Sequence, residues 1–422
     1  MRGARGAGRR GGGPVRRDRD PAAGAVAVVG TGMAAARFAE RFHALGGRGE
    51  VTLYGAEPAA PYNRVLLTDV LTGRYGAEAL TLPYGAAVAR TGCEVTAVDP
   101  GARVLRLADG TRAAYDALVL ATGAEPVLPP VRGLRGPDGS LREGVHVFRT
   151  LDDCRRLAGA AASAERAVVI GGGVLGVSAA RALTVPGRGR RLPGGLPVEI
   201  VQLAPHLAER HLDAQAAALL RHGLAALGVA VSAGSRARAL RGTGRVTGVE
   251  LACGRVLDAD LVVLACGVRP RTGPARAAGL PVRTGVVVDD ALACAPGVYA
   301  IGDCAEHRGV AHGTALAAWD QADVLAARLS GADPGAVYRG SRPLARLTAG
   351  PWSTRRSARP GVRARGSTCS GWPTPPAART GSSCCAATGS SAASSWATRP
   401  RPAPSPGSTS GTTRCPWTPF PC

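Results

Sequence analysis

The chain has 422 residues, enough for two or three domains, and 45% of them are hydrophobic, which is ordinary for a globular protein. Its formal charge of +22 is concentrated at the two ends, with seven Arg and two Asp in residues 1–24 and nine Arg and no acid in residues 351–422. This distribution argues against a nucleic-acid partner, which a basic surface spread over the folded part would favour. The sequence also lacks a run of 18 apolar residues that would span a membrane, and it lacks a secretory leader, so we expect a cytoplasmic protein.

The first motif is VAVVGTGMAAA, at residues 26–36. It predicts a buried strand, a tight turn at Gly30 and Gly32, and the start of a helix in which Ala35 packs against the strand. Such a turn directs backbone N–H groups and the positive end of a helix dipole towards a pyrophosphate. Taken alone, a G-x-G-x-x-A string in a chain rich in Gly and Ala is a weak signal.

The next strand is predicted at Val51–Tyr54, and Glu57 follows it. In a dinucleotide-binding fold, a carboxylate at this place accepts hydrogen bonds from the adenosine ribose. The alternative is a solvated loop Glu. Arg64, in the segment PYNRVLLTDVLTG, is a candidate for contact with a flavin or its diphosphate, and a turn with a surface Arg is the alternative.

The opening pattern then occurs a second time. The segment AVVIGGGVLGVSAARAL contains the full G-x-G-x-x-G arrangement at Gly171, Gly173 and Gly176. Here too the pattern predicts a strand, a glycine turn and a helix that together bind a dinucleotide.

A second pair of segments repeats in the same way. LVLATGA contains Thr122 and Gly123, and LVVLACGVRP contains Gly267, and each predicts a buried strand that ends in a turn. Gly171 follows Gly30 by 141 positions, and Gly267 follows Gly123 by 144. Because both motifs recur at nearly the same offset, the chain contains two copies of one nucleotide-binding plan.

The choice between NADH and NADPH stays open at the sequence level. The strand Val198–Leu203 ends without an acid, and Gln202 occupies the expected ribose position, so the carboxylate that favours NADH is missing. Arg188, Arg190 and Arg191, in the preceding Pro/Gly/Arg loop, are candidates for binding a 2′-phosphate. A solvated loop is the alternative.

The segment PGVYAIGDCA delivers Gly302 and Asp303 to a turn after an apolar strand. Asp303 is the best candidate for a carboxylate that binds the hydroxyls of a flavin ribityl chain, although a Gly-Asp turn can also be purely structural. A helix is predicted from His312 to Leu329, with Trp319 and Leu325 on its apolar side.

We predict an α/β fold with two Rossmann-like dinucleotide-binding domains, the first interrupted by the second. Residues 1–24 form a disordered Arg/Gly-rich extension. The first domain comprises residues 25–140 and 271–349, and the second comprises residues 141–270. Residues 350–422 contain no Asp, Glu, Leu, Ile or Met, and their five Cys match no metal-site spacing. We expect this tail to be disordered, hypothesise that it is an out-of-frame reading of a GC-rich gene, and predict no metal site.

These motifs resemble the FAD- and NAD(P)-binding part of the large subunit of assimilatory NAD(P)H-dependent nitrite reductases. That family is a branch of the pyridine nucleotide-disulphide oxidoreductase superfamily, and the resemblance covers about residues 26–348. The superfamily-level motifs are VVGTGMAAARF, LVLATGA, VVIGGGVLG, LACGVRP and GVYAIGDCA. The branch-level segments are EPAAPYNRVLL, VFRTLDDCRRL, LAPHLAERHLD and GTALAAWDQADVLAARL.

The resemblance implies two cofactor sites, one in an FAD-binding domain of residues 25–140 and 271–349 and one in an NAD(P)-binding domain of residues 141–270. The residues that it assigns to FAD are Gly30, Gly32, Glu57, Arg64 and Asp303, with Thr122 and Gly123 passing close to the flavin. The residues that it assigns to NADH or NADPH are Gly171, Gly173 and Gly176.

The chain also departs from this pattern. It has no Cys before Cys93, so we do not expect it to reduce a disulphide. Asp69 stands where ferredoxin and rubredoxin reductases often have Lys, and Ser178 stands where many relatives have a Glu near the nicotinamide.

The resemblance implies hydride transfer from NAD(P)H to FAD, followed by electron transfer to an iron–sulfur or sirohaem acceptor. The sirohaem domain of a complete nitrite reductase is not recognisable in the sequence. Two alternatives remain: a stand-alone NAD(P)H:ferredoxin or rubredoxin reductase, and a flavin-binding remnant without catalysis.

Overall fold

The structure is a computed structural model, and it describes residues 24–185 and 195–342 and two further strands at 344–349 and 352–357. The strands are β1 (Val26–Val29), β2 (Val51–Tyr54), β3 (Val88–Arg90), β4 (Val95–Asp99), β5 (Val104–Leu107), β6 (Arg112–Ala114), β7 (Ala117–Leu120), β8 (Ala124–Pro126), β9 (Val145–Val147), β10 (Ala167–Ile170), β11 (Val198–Gln202), β12 (Val229–Ala233), β13 (Ala237–Arg241), β14 (Gly248–Leu251), β15 (Val256–Asp258), β16 (Leu261–Leu264), β17 (Val268–Pro270), β18 (Val286–Val288), β19 (Ala293–Ala295), β20 (Val298–Ala300), β21 (Ala305–His307), β22 (Leu344–Ala349) and β23 (Trp352–Ser357).

The α-helices are α1 (Met33–Ala44), α2 (Leu67–Leu71), α3 (Leu151–Ser163), α4 (Val174–Thr184), α5 (Ala214–Ala225), α6 (Gly273–Ala277) and α7 (Ala315–Leu329). Short 3₁₀ helices lie at Arg64–Leu66, Ala77–Leu80 and Gly302–Cys304. None of the helices in the described part of the chain combines the length and the apolar character that a membrane crossing needs.

The first large sheet has the strand order β19-β20-β7-β1-β2-β3. Its central strand β1 is wholly buried and runs parallel to β2 and β7. A strand that is covered on both faces needs apolar side chains at successive positions, and VAVV supplies them. Because β19 and β20 follow the strands of the second sheet in the chain, the first sheet is built from two separate parts of the sequence.

The second large sheet has the order β12-β11-β10-β16-β9 and is parallel throughout. Its central strand β10 pairs with β11 and β16 as β1 pairs with β2 and β7. Val29 lies opposite Tyr54 and Leu120 in the first sheet, and Ile170 lies opposite Val201 and Leu264 in the second. The predicted α/β fold with two Rossmann-like domains is confirmed.

The repeat extends to the smaller sheets. An antiparallel sheet of three strands, β4-β5-β6, precedes β7, and another, β13-β14-β15, precedes β16. The strands that follow, β8 and β17, pair with each other, so that Ala124 lies opposite Pro270. This ribbon joins the two copies, while the domain boundaries at residues 140, 270 and 349 stay predictions.

The two predicted turns lie where the sequence indicates them. In LVLATGA the strand β7 ends at Leu120, and β8 begins at Ala124 after the predicted Thr122–Gly123 turn. In LVVLACGVRP the strand β16 ends at Leu264, and β17 begins at Val268 after the predicted Ala-Cys-Gly turn. The reason is local: Gly123 and Gly267 adopt positive φ angles of 69° and 95°, which turn the chain out of the sheet.

The two segments predicted to be disordered are residues 1–24 and 350–422, and most of each lies outside the described residues. Residues 1–23 and 358–422 lie outside the described residues, as does the loop that carries Arg188, Arg190 and Arg191. Within the predicted tail, residues 352–357 form the strand β23, which pairs with β22 in an antiparallel hairpin.

Candidate functional site

A cavity of about 1990 Å³ is lined by both glycine turns. Gly30 and Gly32 contribute from the first copy, and Gly171 and Gly173 contribute from the second. Parallel strands place their following turns at one edge of each sheet, so the cavity lies where the carboxyl edges of the two sheets meet.

The first turn has room only for glycine at one of its two positions. Gly30 has a φ of 122°, and a Cβ there would lie 2.2 Å from the Ala121 carbonyl oxygen. Gly32 caps the N-terminus of α1, and a Cβ there would meet nothing nearer than the Arg64 guanidinium at 3.9 Å. Ala35 is fully buried, as predicted for the residue that packs helix against strand. This turn therefore offers an open N-terminus of a 12-residue helix to the cavity.

The second turn repeats this arrangement. Gly171 has a φ of 111°, and a Cβ there would lie 2.3 Å from the Ala265 carbonyl oxygen. A Cβ on Gly176 would lie 1.8 Å from the Gly171 oxygen, whereas a Cβ on Gly173, the N-cap of α4, would meet no atom within 4 Å. Gly171 and Gly176 thus serve the packing of the turn, and Gly173 faces free space.

The two turns are also held in the sheets by equivalent backbone hydrogen bonds. Gly30 N donates to Tyr54 O at 2.7 Å, and Gly171 N donates to Val201 O at 2.9 Å. The two cradles have the shape that a dinucleotide pyrophosphate needs, and the residues present fit the FAD and NAD(P)H that the motifs predict.

Glu57 and Arg64 lie together beside the first turn. Arg64 Nη2 donates to Glu57 Oε1 at 2.9 Å, and the Tyr62 hydroxyl donates to Glu57 Oε2 at 2.6 Å. The same hydroxyl accepts from the backbone N of Leu151 at 3.0 Å. Burial raises the pKa of Tyr62, so its hydroxyl keeps the proton that it donates to Glu57.

Asp303 is paired with a residue that sequence reasoning missed. Arg149 Nη2 lies 2.6 Å from Asp303 Oδ2, and both side chains are largely buried, with 18% and 17% of their surface exposed. The carbonyl oxygen of Arg149 also accepts from Arg64 Nη1 at 3.2 Å. This contact brings the predicted FAD residues Arg64 and Asp303 to one wall of the cavity.

The position of Arg149 has a local cause. Thr150 and Asp153 form a capping box at the start of α3, and Asp153 Oδ2 also accepts from Arg149 N at 3.1 Å. The Thr-x-x-Asp spacing in VFRTLDD is the sequence signal that would have located this helix start. That Arg149 then reaches Asp303 depends on the fold.

The turns at Thr122–Gly123 and Gly302 also line the cavity. Thr122 Oγ1 donates to Arg271 O at 2.6 Å, and Gly302 N donates to Gln321 Oε1 at 2.7 Å. Gln321 is 1% exposed, so its amide fixes the Gly302 turn from the core. Sequence reasoning missed Gln321 because nothing in the helix pattern of α7 distinguishes it.

Ser178, Gln202 and Gly267, which were predicted to lie at the nicotinamide coenzyme, also line the cavity. Gln202 Oε1 accepts from Gly172 N at 2.7 Å, so this amide is bound to the second glycine turn. Ser178 Oγ donates to Val174 O at 2.8 Å within α4. Gly267 lies beside Cys266, whose pKa burial raises to about 11, so this thiol stays protonated at neutral pH and is a poor nucleophile.

Across the described ranges, no cluster of three or more His, Cys, Asp or Glu side chains is arranged to hold a metal ion. The groups at the cavity are instead glycine turns, hydroxyls and ion pairs. They suit the binding of phosphates and sugar hydroxyls.

Comparison with known proteins decides the family. The family model described as pyridine nucleotide-disulphide oxidoreductase matches residues 24–322. The chain belongs to this family. It is therefore an oxidoreductase that uses FAD and NADH or NADPH, and the predicted enzyme class and cofactors are confirmed.

Two relatives show which members of this family the chain is similar to. The chain is 35% identical over 325 residues to the nitrite reductase [NAD(P)H] of Bacillus subtilis (strain 168), covering 75% of this chain and 38% of that protein. It is 31% identical to the rubredoxin-NAD(+) reductase of Pseudomonas putida, covering 73% of this chain and 80% of that one. The resemblance to nitrite reductase large subunits is confirmed, although the chain spans about two fifths of that relative's length.

A solved structure agrees with the sequence relatives. The ferredoxin reductase of the CYP199A2 system from Rhodopseudomonas palustris superposes with a TM-score of 0.69 at 30% identity. The match covers 78% of this chain and 81% of that one. The shared fold thus extends over most of both chains.

Proposed function

We propose that this chain passes electrons from NAD(P)H through FAD to an iron–sulfur or sirohaem centre of the nitrite reductase type. The observation that carries the proposal is the single cavity onto which both glycine turns open. A flavin bound there supplies the relay, because it takes a hydride as two electrons and releases electrons singly. The nitrite reductase of Bacillus subtilis is similar to this chain over 325 residues, which supports that acceptor class.

We assign the predicted residues to the two cofactor sites accordingly. Ala35 and Gly176 do not line the cavity and contribute by packing the two turns. The FAD site comprises Gly30, Gly32, Ala35, Glu57, Arg64, Thr122, Gly123, Gly302 and Asp303. The coenzyme site comprises Gly171, Gly173, Gly176, Ser178, Gln202 and Gly267.

The side chains contribute by binding and orientation. Glu57 and Asp303 are carboxylates whose positions are fixed by Arg64 and Arg149, at 2.9 Å and 2.6 Å, and carboxylates held in this way accept hydrogen bonds from sugar-like hydroxyls. In this proposal, catalysis comes from holding the nicotinamide ring and the flavin ring at a fixed separation, and no acid–base group is required. Thr122 and Gly123 on one side and Gly267 on the other would border the place where the rings meet.

A second candidate function is that of a stand-alone ferredoxin or rubredoxin reductase. Coverage favours it, since the match takes in 80% of the rubredoxin reductase and 81% of the ferredoxin reductase, against 38% of the nitrite reductase. Both candidates share the same cofactor sites and differ only in the acceptor.

The test is an acceptor assay under anaerobic conditions. FAD-loaded protein is mixed with NADPH or NADH and, separately, with a ferredoxin, a rubredoxin, or a nitrite reductase sirohaem domain and nitrite. Turnover with the sirohaem domain supports the first candidate, and turnover with the small iron–sulfur proteins alone supports the second. Flavin that binds but is never bleached by either coenzyme contradicts both and leaves a non-catalytic remnant.

A further inference from the structure

In the part of the chain that the structure describes, some of the charged side chains that line the cavity are paired with an opposite charge, and others are not. Three of the carboxylates that line the cavity are each paired with an arginine: Glu57 with Arg64, Asp303 with Arg149, and Asp69 with Arg74. On the side of the second turn the cavity is lined by Arg181, Arg210 and Arg236 and by one acid, Glu209. Within the described ranges, none of these three arginines has a carboxylate within ion-pair distance. This side of the cavity therefore carries excess positive charge.

Two of these arginines lie next to the end of β11, where an adenosine ribose sits in a dinucleotide fold. The backbone N of Ser235 donates to Gln202 O at 2.9 Å, and Gly234 N donates to Ala204 O at 2.9 Å. The loop that leads from β12 to Arg236 is thus held along the end of β11. Arg236 itself is exposed and lines the cavity.

Arg210 is brought to the same place by a separate contact. After β11 the chain turns at Ala208, which has a φ of 48° and whose N donates to Gly172 O at 2.9 Å. Gly172 N in turn donates to Gln202 Oε1. The segments that carry Arg210 and Arg236 are therefore both anchored at the Gly172–Gln202 contact.

A carboxylate is missing where it would exclude a phosphate. In an NADH site, an acid at the end of this strand binds the ribose 2′-hydroxyl and repels a 2′-phosphate. Here that residue is Gln202, which is neutral and whose oxygen is engaged by Gly172. The nearby Glu199 lies within β11 and is paired with Arg255 at 2.8 Å, so its charge is compensated away from the cavity wall.

We infer that the pocket formed by Gln202, Arg210 and Arg236 binds a phosphate monoester, the 2′-phosphate of NADPH, and makes NADPH the preferred coenzyme. This inference rests on the proposed function, in which the second glycine turn holds the nicotinamide coenzyme. A phosphate monoester carries close to two negative charges at neutral pH, which two guanidinium groups can match with bidentate hydrogen bonds.

The binding test uses 2′,5′-ADP and 5′-AMP, which differ only in the 2′-phosphate. Calorimetry on the full FAD-loaded chain should show 2′,5′-ADP binding about tenfold or more tightly than 5′-AMP, because the charged hydrogen bonds are additional. Arg236→Gln and Arg210→Gln should each weaken the binding of 2′,5′-ADP and leave the binding of 5′-AMP unchanged. The control is Arg221→Gln, since Arg221 is exposed on α5 and does not line the cavity.

A second variant tests the missing acid. Gln202→Glu should weaken the binding of 2′,5′-ADP without loss of 5′-AMP binding, and should shift flavin reduction from NADPH towards NADH. Equal affinity for the two nucleotides in the unmodified protein, an equal loss in Arg221→Gln, or faster reduction by NADH than by NADPH overturns the inference. Those results leave the proposed function standing. If neither nucleotide binds and neither coenzyme reduces the flavin, the proposed function fails as well.

Discussion

Arg149 and Asp303 lie 154 positions apart in the chain, and their side chains form an ion pair with 2.6 Å between Nη2 and Oδ2. The contact connects the segment before α3 with the turn after β20. It therefore joins the part of the chain that enters the second sheet to the part that completes the first. Its loss should affect both stability and FAD binding.

Replacing Arg149 by Met should lower the free energy of unfolding by about 1–3 kcal/mol, because Asp303 is left largely buried without its cation. Urea denaturation of the FAD-free protein measures this. The control is Arg245→Gln, whose partner Glu143 and own side chain are 68% and 44% exposed. That variant should lose less than about 1 kcal/mol. Equal losses in both variants would show that the Arg149 pair contributes no more than a surface pair.

Tyr62→Phe should also be destabilising. It removes the hydroxyl that donates to Glu57 and accepts from Leu151 N, and it leaves that buried N–H without a partner. We expect a loss of about 1–3 kcal/mol in unfolding free energy and weaker FAD binding, since Glu57 loses a contact that orients it. Tyr299→Phe is the matched control, because the Tyr299 hydroxyl has no hydrogen-bond partner among the residues that the structure describes. Tyr62→Phe with unchanged stability would refute the role of this hydroxyl.

Gly173 and Gly176 in the second turn should respond differently to replacement by alanine, because Gly173 faces free space and Gly176 packs against Gly171. Gly173→Ala places a methyl group in free space at the cavity, so the fold should be retained while coenzyme affinity falls about tenfold. Gly176→Ala places it 1.8 Å from the Gly171 oxygen, so folding itself should suffer. Thermal unfolding and coenzyme titration of the two variants separate these effects. Normal coenzyme binding by Gly173→Ala would contradict the assignment of the second turn.

The pH dependence of stability has a predicted sign. Burial lowers the pKa of His146, with a smaller contribution from Arg156, and burial also lowers the pKa of His312. The unfolded chain then binds these protons more tightly than the folded one, so stability is fully present above about pH 6.5 and falls as the pH drops below it. His146→Gln should reduce this slope in urea titrations, and the His146→Gln, His312→Gln double variant should reduce it further. A slope that neither variant changes would show that other groups cause it.

The glycine turns and their strands could be predicted from the sequence because their signals are local. VAVV, LVVL and the glycine spacings specify buried strands and tight turns within a dozen residues, and the structure has strands there. The repeat offset, which compares two such signals, also predicted the two-sheet fold. The turns that follow β7 and β16 were predicted as well, because Gly123 and Gly267 are local signals, and their positive φ angles turn the chain out of the sheet.

The contacts that order the site could not be read from local patterns. Arg149 reaches Asp303, Tyr62 reaches the start of α3, and Gln321 reaches the Gly302 turn, and each contact joins segments that are distant in sequence. Gln202 was placed correctly at the strand end, but its hydrogen bond to Gly172 depends on the packing of the turn. The loop with Arg188, Arg190 and Arg191 lies outside the described residues, and the arginines of the 2′-phosphate pocket come from other segments.

The central claim is that the two glycine turns bring a nicotinamide coenzyme and a flavin together in one cavity. Anaerobic titration of the FAD-loaded protein with NADPH, followed by flavin absorbance, tests it most directly. We predict that about one equivalent of coenzyme bleaches the bound flavin completely, and that Gly173→Ala requires much higher coenzyme concentrations for the same bleaching. A protein that holds FAD but keeps its full absorbance in excess NADPH and in excess NADH would contradict the claim.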